Sequence, residues 1–249
     1  MDEVTNVAGA SARAEYERRR ARHRENIRRR RPLIIGFGVA IAVVGLAFMG
    51  SQPLLGWGLI LVAVGSTIST LFLLPNHISA WATGADGETR TARFLEPLRA
   101  EGFAILHDRR IPGGRANIDH IVIGPPGVFV VETKSFAGDL RIRGDEVYVS
   151  GRRKTAMIEE VKREALAVQV AIAAELNALG LPVIPVLCIH RANLPWLGAD
   201  AGGVRIVSGK ELVKRLRKAP IRLGSEETER LVNAANQRLA PAAGELPRS

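Results

Sequence analysis

Residues 32–85 contain no Asp, Glu, Lys or Arg. No other feature limits the possible folds of this chain so strongly. Within that run, residues 33–50 supply eighteen apolar or small positions and residues 54–74 supply twenty-one. A helix of about 20 apolar residues crosses a hydrocarbon core of about 30 Å. Both stretches reach that length, and Ser51-Gln52-Pro53 separates them. So short a loop demands an antiparallel hairpin. Trp57 and Trp81 fall near its two ends, where aromatic belt residues sit. The competing explanation is a pair of buried core helices in a soluble protein, and 54 uncharged residues are too many for it. A cleaved leader also fits poorly, because the preceding basic region is long and a second apolar stretch follows.

Charge sets the orientation. The 249 residues carry 35 basic and 25 acidic groups, a net charge of +10. Residues 1–31 hold ten arginines and five acids, so half the excess lies in an eighth of the chain. Nine of those arginines crowd positions 18–31, just before the first apolar stretch, and should remain cytoplasmic. Two spans return the chain to the same side. The expected location is therefore a cell membrane, multi-pass, with both termini cytoplasmic. The arginine segment offers almost no apolar face and is expected to be a mobile or surface-associated arm. Its charge suits anionic lipid headgroups or nucleic acid. The lone Cys188 excludes an intramolecular disulfide framework and any zinc site built from CxxC pairs.

The expected organisation is a basic arm at 1–31 and a hairpin at 32–75, with spans near 33–50 and 54–74. A linker at 76–83 follows, then a core domain at 84–195. A strand, two helices and a frayed tail at 196–249 complete it. Residues 89–98 read as a helix that Pro97 ends or kinks. Strands are expected at 103–107, 118–123, 128–134, 140–143, 147–149, 183–189 and 204–207. A long amphipathic helix is expected at 157–179, and shorter ones near 210–218 and 226–239. This order is a mixed α/β domain.

The turn Gly124-Pro125-Pro126-Gly127 fixes a register with Ile123 opposite Val128, which brings Asp119 opposite Glu132. Directly opposed residues share one face of a sheet, and strand alternation adds Lys134 to it. Opposed carboxylates repel unless a cation lies between them. Lys134 alone could serve, or a divalent ion such as Mg²⁺ or Mn²⁺ could be held by the oxygens. Val128, Phe129, Val130 and Val131 make the strand central, where unexplained charge is costly. Gln169 falls inside the apolar stripe of Ile158, Val161, Ala165, Ile172 and Leu176. Its partners lie either at a site or on nearby backbone. Glu88 reads as a first-turn acid favoured by the helix dipole. His120 should face the opposite side of the sheet, in a structural or supporting role. Cys188 reads as core. Arg141, Arg143, Arg152, Arg153 and Lys154 form either a track for a phosphate backbone or a solvated face.

Together, Gly84-Ala85-Asp86-Gly87-Glu88, Ile118-Asp119-His120, the run 127–134 ending Glu132-Thr133-Lys134, and Gly138 resemble the nuclease-related domain, NERD. The likeness covers about residues 84–190. It implies a restriction-endonuclease-like core, a mixed sheet flanked by helices, of the PD-(D/E)xK type. On that resemblance Asp119 and Glu132 would be metal ligands for Mg²⁺ or Mn²⁺, and Lys134 would orient or activate water. Glu88 would complete the site and Gln169 would assist. The implied activity is hydrolysis of DNA or RNA phosphodiesters by a membrane-anchored enzyme. The alternatives are a non-catalytic module binding nucleic acid or a protein partner at the membrane, and a lipid-organising membrane protein.

Overall fold

The computed structural model describes residues 7–73, 75–114, 116–194 and 198–242. The chain divides into two compact units, Ala14–Ala82 and a second made of Met1–Arg13 with Thr83–Ser249.

The first unit is helical. Helix α1 (Ala10–Phe48) runs without interruption through the arginine segment and through Pro32. The segment expected to be a mobile or surface-associated arm is helix as far as it is described, from Ala10 onward. The reason is local: Glu15 pairs with Arg18 at 3.1 Å and Arg19 at 2.5 Å, and Glu25 with Arg29 at 2.8 Å. These are the three- and four-residue spacings that support a helix. Helix α2 (Pro53–Phe72) starts with proline at its first turn, where the missing N–H costs nothing. The two helices pack through small residues. A Cβ on Gly45 would lie 2.9 Å from the Gly56 carbonyl oxygen, and one on Gly56 2.7 Å from that of Gly45. Gly36 has open space around it and Ala40 is exposed, so this pair takes no part in the hairpin contact. Leu33, Phe37, Leu54, Leu61 and Phe72 point outward. Both helices are long and apolar enough to cross a membrane. Helix α3 (Asn76–Leu95) begins where a linker was expected, and Arg19 lies 5.1 Å over the Trp81 ring at its start.

The second unit is built on a mixed sheet ordered β1-β2-β3-β6-β8-β7. Its strands are β1 (Ala104–Arg110), β2 (Asn117–Gly124), β3 (Gly127–Arg143), β6 (Val183–Asn193), β7 (Ala199–Ala201) and β8 (Val204–Val207). Strands β4 (Glu146–Val149) and β5 (Arg152–Arg153) extend the far end of β3 as a small antiparallel sheet. The turn at Pro125-Pro126 gives the expected register, with Ile123 opposite Val128 and His120 opposite Val131. Strand β3 is antiparallel to β2 and parallel to β6, so it lies inside the sheet.

Helices cover both faces. On one, Ile121, Ile123, Val128, Val130, Leu187 and Ile189 pack with α4 (Ala156–Ala171), α5 (Ala173–Leu179) and α7 (Ser225–Arg238). The long helix expected at 157–179 is thus two, divided at Ile172, which leaves helical geometry at φ −116°, ψ 32°. On the other face, Val122, Phe129, Val131, Val186 and Cys188 meet Leu95, Leu98 and α6 (Gly209–Lys218). Pro97 ends α3 as expected, and Glu96–Glu101 continue as a 3-10 turn. The tail expected to fray lies outside the described residues from 243 onward.

His120 lies on this second face, as alternation requires, completely buried. The Nδ1 atoms of His107 and His120 are 2.8 Å apart, one ring donating and the other accepting. Burial, with Arg99 nearby, pushes His107 down to about 4. Burial and the neighbouring His107 and His190 hold His120 well below its ordinary value. Burial also pushes the Cys188 thiol up to about 12, which keeps it an unreactive core group. Such histidines stay neutral in the fold, whereas the unfolded chain protonates them near pH 6.5. The unfolded state therefore takes up protons first, and stability falls as pH drops from about 6.5 toward 4. In thermal melts of the full chain in detergent, His107→Gln is expected to lose less Tm between pH 7 and 4.5 than wild type. Equal losses would contradict this account.

Candidate metal centre

Helix α3, strands β2 and β3, and helix α4 converge on one group of acids. Glu132 and Lys134 alternate with Val131 and Thr133 along β3, so both face α4. Lys134 Nζ donates to Glu132 Oε1 at 2.6 Å and lies 2.9 Å from Glu160 Oε2. Strand pairing is recorded as far as His120 and Val131, one step short of Asp119 and Glu132. There Asp119 Oδ2 accepts the Thr133 backbone N–H at 2.8 Å. The expected face of Asp119, Glu132 and Lys134 is present, and this side-chain bond anchors the aspartate.

Glu88 joins from α3 and is 8% exposed. It lies well inside the helix rather than in its first turn, so the dipole explanation does not hold. Gly87 has the closer role. A Cβ there would come 2.5 Å from Ser135 Oγ, so glycine lets α3 lie against β3 and carry Glu88 to the acids. Asp108, buried at a left-handed φ of 49°, adds a further acid. Its two oxygens accept from the Ser11 backbone N–H and hydroxyl, each at 2.7 Å.

Helix α4 adds two acids that were not among the expected site residues. Glu160 and Glu164 stand one turn apart, and one carboxylate oxygen from each lies within 4.8 Å of the others and of Glu132. Glu164 is 3% exposed. A signal existed: Glu164 interrupts the same apolar stripe as Gln169. Packing separates the two. Gln169 Oε1 accepts the Val183 backbone N–H at 2.7 Å, a structural bond at the start of β6, and it does not join the acids.

Crowded acids in a poorly hydrated site resist ionisation. Burial, then Asp108 and Glu132, push Glu88 up to about 8, against the opposing Lys134 and Gly9 N–H. Burial, then Glu132, Glu88 and Glu164, hold Asp119 well above its ordinary value. Burial, then Glu132, push Glu164 up to about 10. Burial alone would lower Lys134, but its bonds to Glu132 and Glu160 outweigh that and hold it above its ordinary value as an ammonium. Two buried oxygens, Glu132 Oε2 and Glu164 Oε2, have no partner apart from a proton shared between the two acids. These donors are all oxygens, a set whose chemistry would fit Mg²⁺ or Mn²⁺.

Of the five basic residues expected to contact phosphate, Arg141, Arg143, Arg152 and Arg153 lie on the small sheet and Lys154 follows it; all are exposed. Arg141 and Arg143 share a cavity of about 410 Å³ with Asp139, Tyr148, Ser150 and Gly151. Arg143 covers the Tyr148 ring at 5.5 Å. Arg153 instead pairs with Glu146 at 2.7 Å, Lys154 lies 5.7 Å from the Phe136 ring, and Arg152 stands on β5.

An acid whose folded pKa is raised costs stability once the unfolded chain can ionise. For Glu164 that loss begins near pH 4.5 and grows until about 10. Without divalent metal, Glu164→Gln is expected to melt higher than wild type, with the gap widening from pH 5 to pH 8. Each kcal/mol corresponds to about 2–4 °C for a chain of this size. A gap that stays constant with pH would contradict the assignment.

Residues 83–190 match the family model of the nuclease-related domain, NERD. An uncharacterized protein of Bacillus anthracis is 37% identical over 83 residues, which cover 32% of this chain and 38% of that protein. The chain thus spans about 38% of the length of this curated relative. No solved structure matches the chain. Glu88, Asp119, Glu132, Lys134, Glu160 and Glu164 all lie inside the matched segment. The chain is thus similar to the nuclease-related domain family over residues 83–190, under half of its length.

Proposed function

We propose that the protein is a membrane-anchored, cytoplasm-facing nuclease that hydrolyses nucleic-acid phosphodiesters with Mg²⁺ or Mn²⁺. The observation that carries this reading is the convergence of Asp119, Glu132 and Glu88 around one charged lysine, with a buried carboxylate oxygen of Glu132 that has no donor other than a proton shared with Glu164. Asp119 and Glu132 would hold the cation. When bound, it would polarise the phosphodiester and make water more acidic. Lys134 keeps its proton, so it acts as a fixed donor that orients water and steadies negative charge developing on phosphate oxygens. The Thr133 N–H holds Asp119 in place. Glu88 retains a proton near neutral pH until a cation offsets its acidic neighbours.

Arg141 and Arg143 lie further along β3 than Lys134, roughly 20–30 Å at strand rise. They would track the phosphate backbone away from the scissile bond. The outward apolar side chains of α1 and α2 support anchoring, since soluble proteins rarely expose large continuous apolar surface. The arginines preceding the first apolar stretch would keep the second unit cytoplasmic and meet anionic headgroups.

The accessible concavity of Arg141, Arg143 and Tyr148 also suits the second reading, a module that binds nucleic acid or a protein partner without cleaving. Cleavage of plasmid DNA, single-stranded DNA and RNA by the full chain in detergent separates the two. Asp119→Asn, Glu132→Gln and Lys134→Met are each expected to lower the rate about 10²–10⁴-fold. Full activity in all three would refute the nuclease. Arg141→Ala with Arg143→Ala is expected to weaken oligonucleotide binding and reduce the salt slope by about 1 to 2. Binding that keeps its salt dependence in these variants would remove the arginines from the interface.

A further inference from the structure

We infer that helix α4 carries a second divalent-cation seat, formed by Glu132, Glu160 and Glu164, for an oxygen-preferring ion such as Mn²⁺ or Mg²⁺. The family resemblance assigns no role to Glu160 or Glu164. Their four-residue spacing puts both on the helix face that lies over β3. Carboxylate oxygens of Glu132, Glu160 and Glu164 lie within 4.8 Å of one another. Acids that close need a cation or a shared proton.

Lys134 supplies only part of it. Its ammonium takes Glu132 Oε1 and Glu160 Oε2, at 2.6 and 2.9 Å. Glu132 Oε2 and Glu164 Oε2 remain, buried and with no donor other than a proton the two acids share. Their residues are only 5% and 3% exposed, so bulk water does not solvate them. Fully ionised, three carboxylates against one ammonium leave two negative charges, the charge a divalent ion balances. The donors are oxygens only, which selects a hard cation over zinc or copper. Glu132 has two oxygens and stands between Asp119 and α4. It can therefore serve the proposed nuclease cation on one side and this seat on the other, an arrangement found in two-metal centres.

The test is Mn²⁺ binding to the full-length chain in detergent, by calorimetry and electron paramagnetic resonance. Wild type is expected to bind two Mn²⁺, Glu164→Gln one, and Asp119→Asn one. Glutamine is nearly isosteric with glutamate and can donate to Glu132, so Glu164→Gln keeps the packing. Should that variant still fail to fold, Glu160→Gln decides, because Glu160 is partly exposed. It is expected to weaken one of the two sites at least tenfold. If Glu164 merely shares a proton with Glu132, Glu164→Gln will bind as many ions as wild type, and the inference is overturned. A single wild-type ion that is lost in Glu164→Gln but kept in Asp119→Asn would uphold this seat and remove the cation from the nuclease reading. A single ion lost only in Asp119→Asn would do the reverse. No binding at millimolar Mn²⁺ would overturn both.

Discussion

Carboxylates forced together around one lysine on a buried strand govern the second unit. Ionised acids at such distances repel strongly where water is scarce. Glu88, Asp119 and Glu164 hold protons more tightly than free carboxyls, while Lys134 is held charged. The fold accepts this cost at a single place, where β3 passes between β2 and α4 and under α3. Elsewhere both faces of the strand are apolar, through Val128, Phe129, Val130 and Val131. A polar interruption this concentrated inside a close-packed core is a candidate functional centre.

The two faces of the sheet divide the work. The α4 face carries acids and lysine. The opposite face carries a neutral polar network. Thr133 donates to Thr91, whose hydroxyl lies 2.8 Å from His190 Nε2, and His107 meets His120. Alternation along β2 and β3 sets Asp119 and Glu132 on one side and His120 and Thr133 on the other. The network thus braces the backbone that presents the acids. Asp119 ties the faces together, because its side chain caps the N–H of Thr133.

The first unit follows a different physical rule. Its helices turn small residues toward each other and large apolar ones outward, the inverse of a water-soluble hairpin. Gly45 and Gly56 allow close approach, whereas Gly36 and Ala40 face away. The arginines that make the preceding segment polar also stabilise it as helix, because Glu15 and Glu25 fall one turn before their partners. Charge composition alone left this segment a mobile or surface-associated arm, and charge spacing supports it as helix.

Local pattern was enough for much of this. The two apolar helices, the strands around Pro125-Pro126, and the shared face of Asp119, Glu132 and Lys134 were legible because period and turn length act over neighbouring residues. The start of α3 was not, since glycines that suggested a linker are accommodated in a helix pressed against Ser135. Helix α4 shows the limit most clearly. Glu164 and Gln169 both interrupt one apolar stripe, and the stripe cannot say which of them faces β3. The docking of α4 on the sheet decides it, turning Glu164 toward Glu132 and leaving Gln169 to cap Val183. Sequence by itself determined which strand carries Glu132 and Lys134. Tertiary packing decided which helical acids meet it, because contacts between distant segments depend on how elements are rotated against each other.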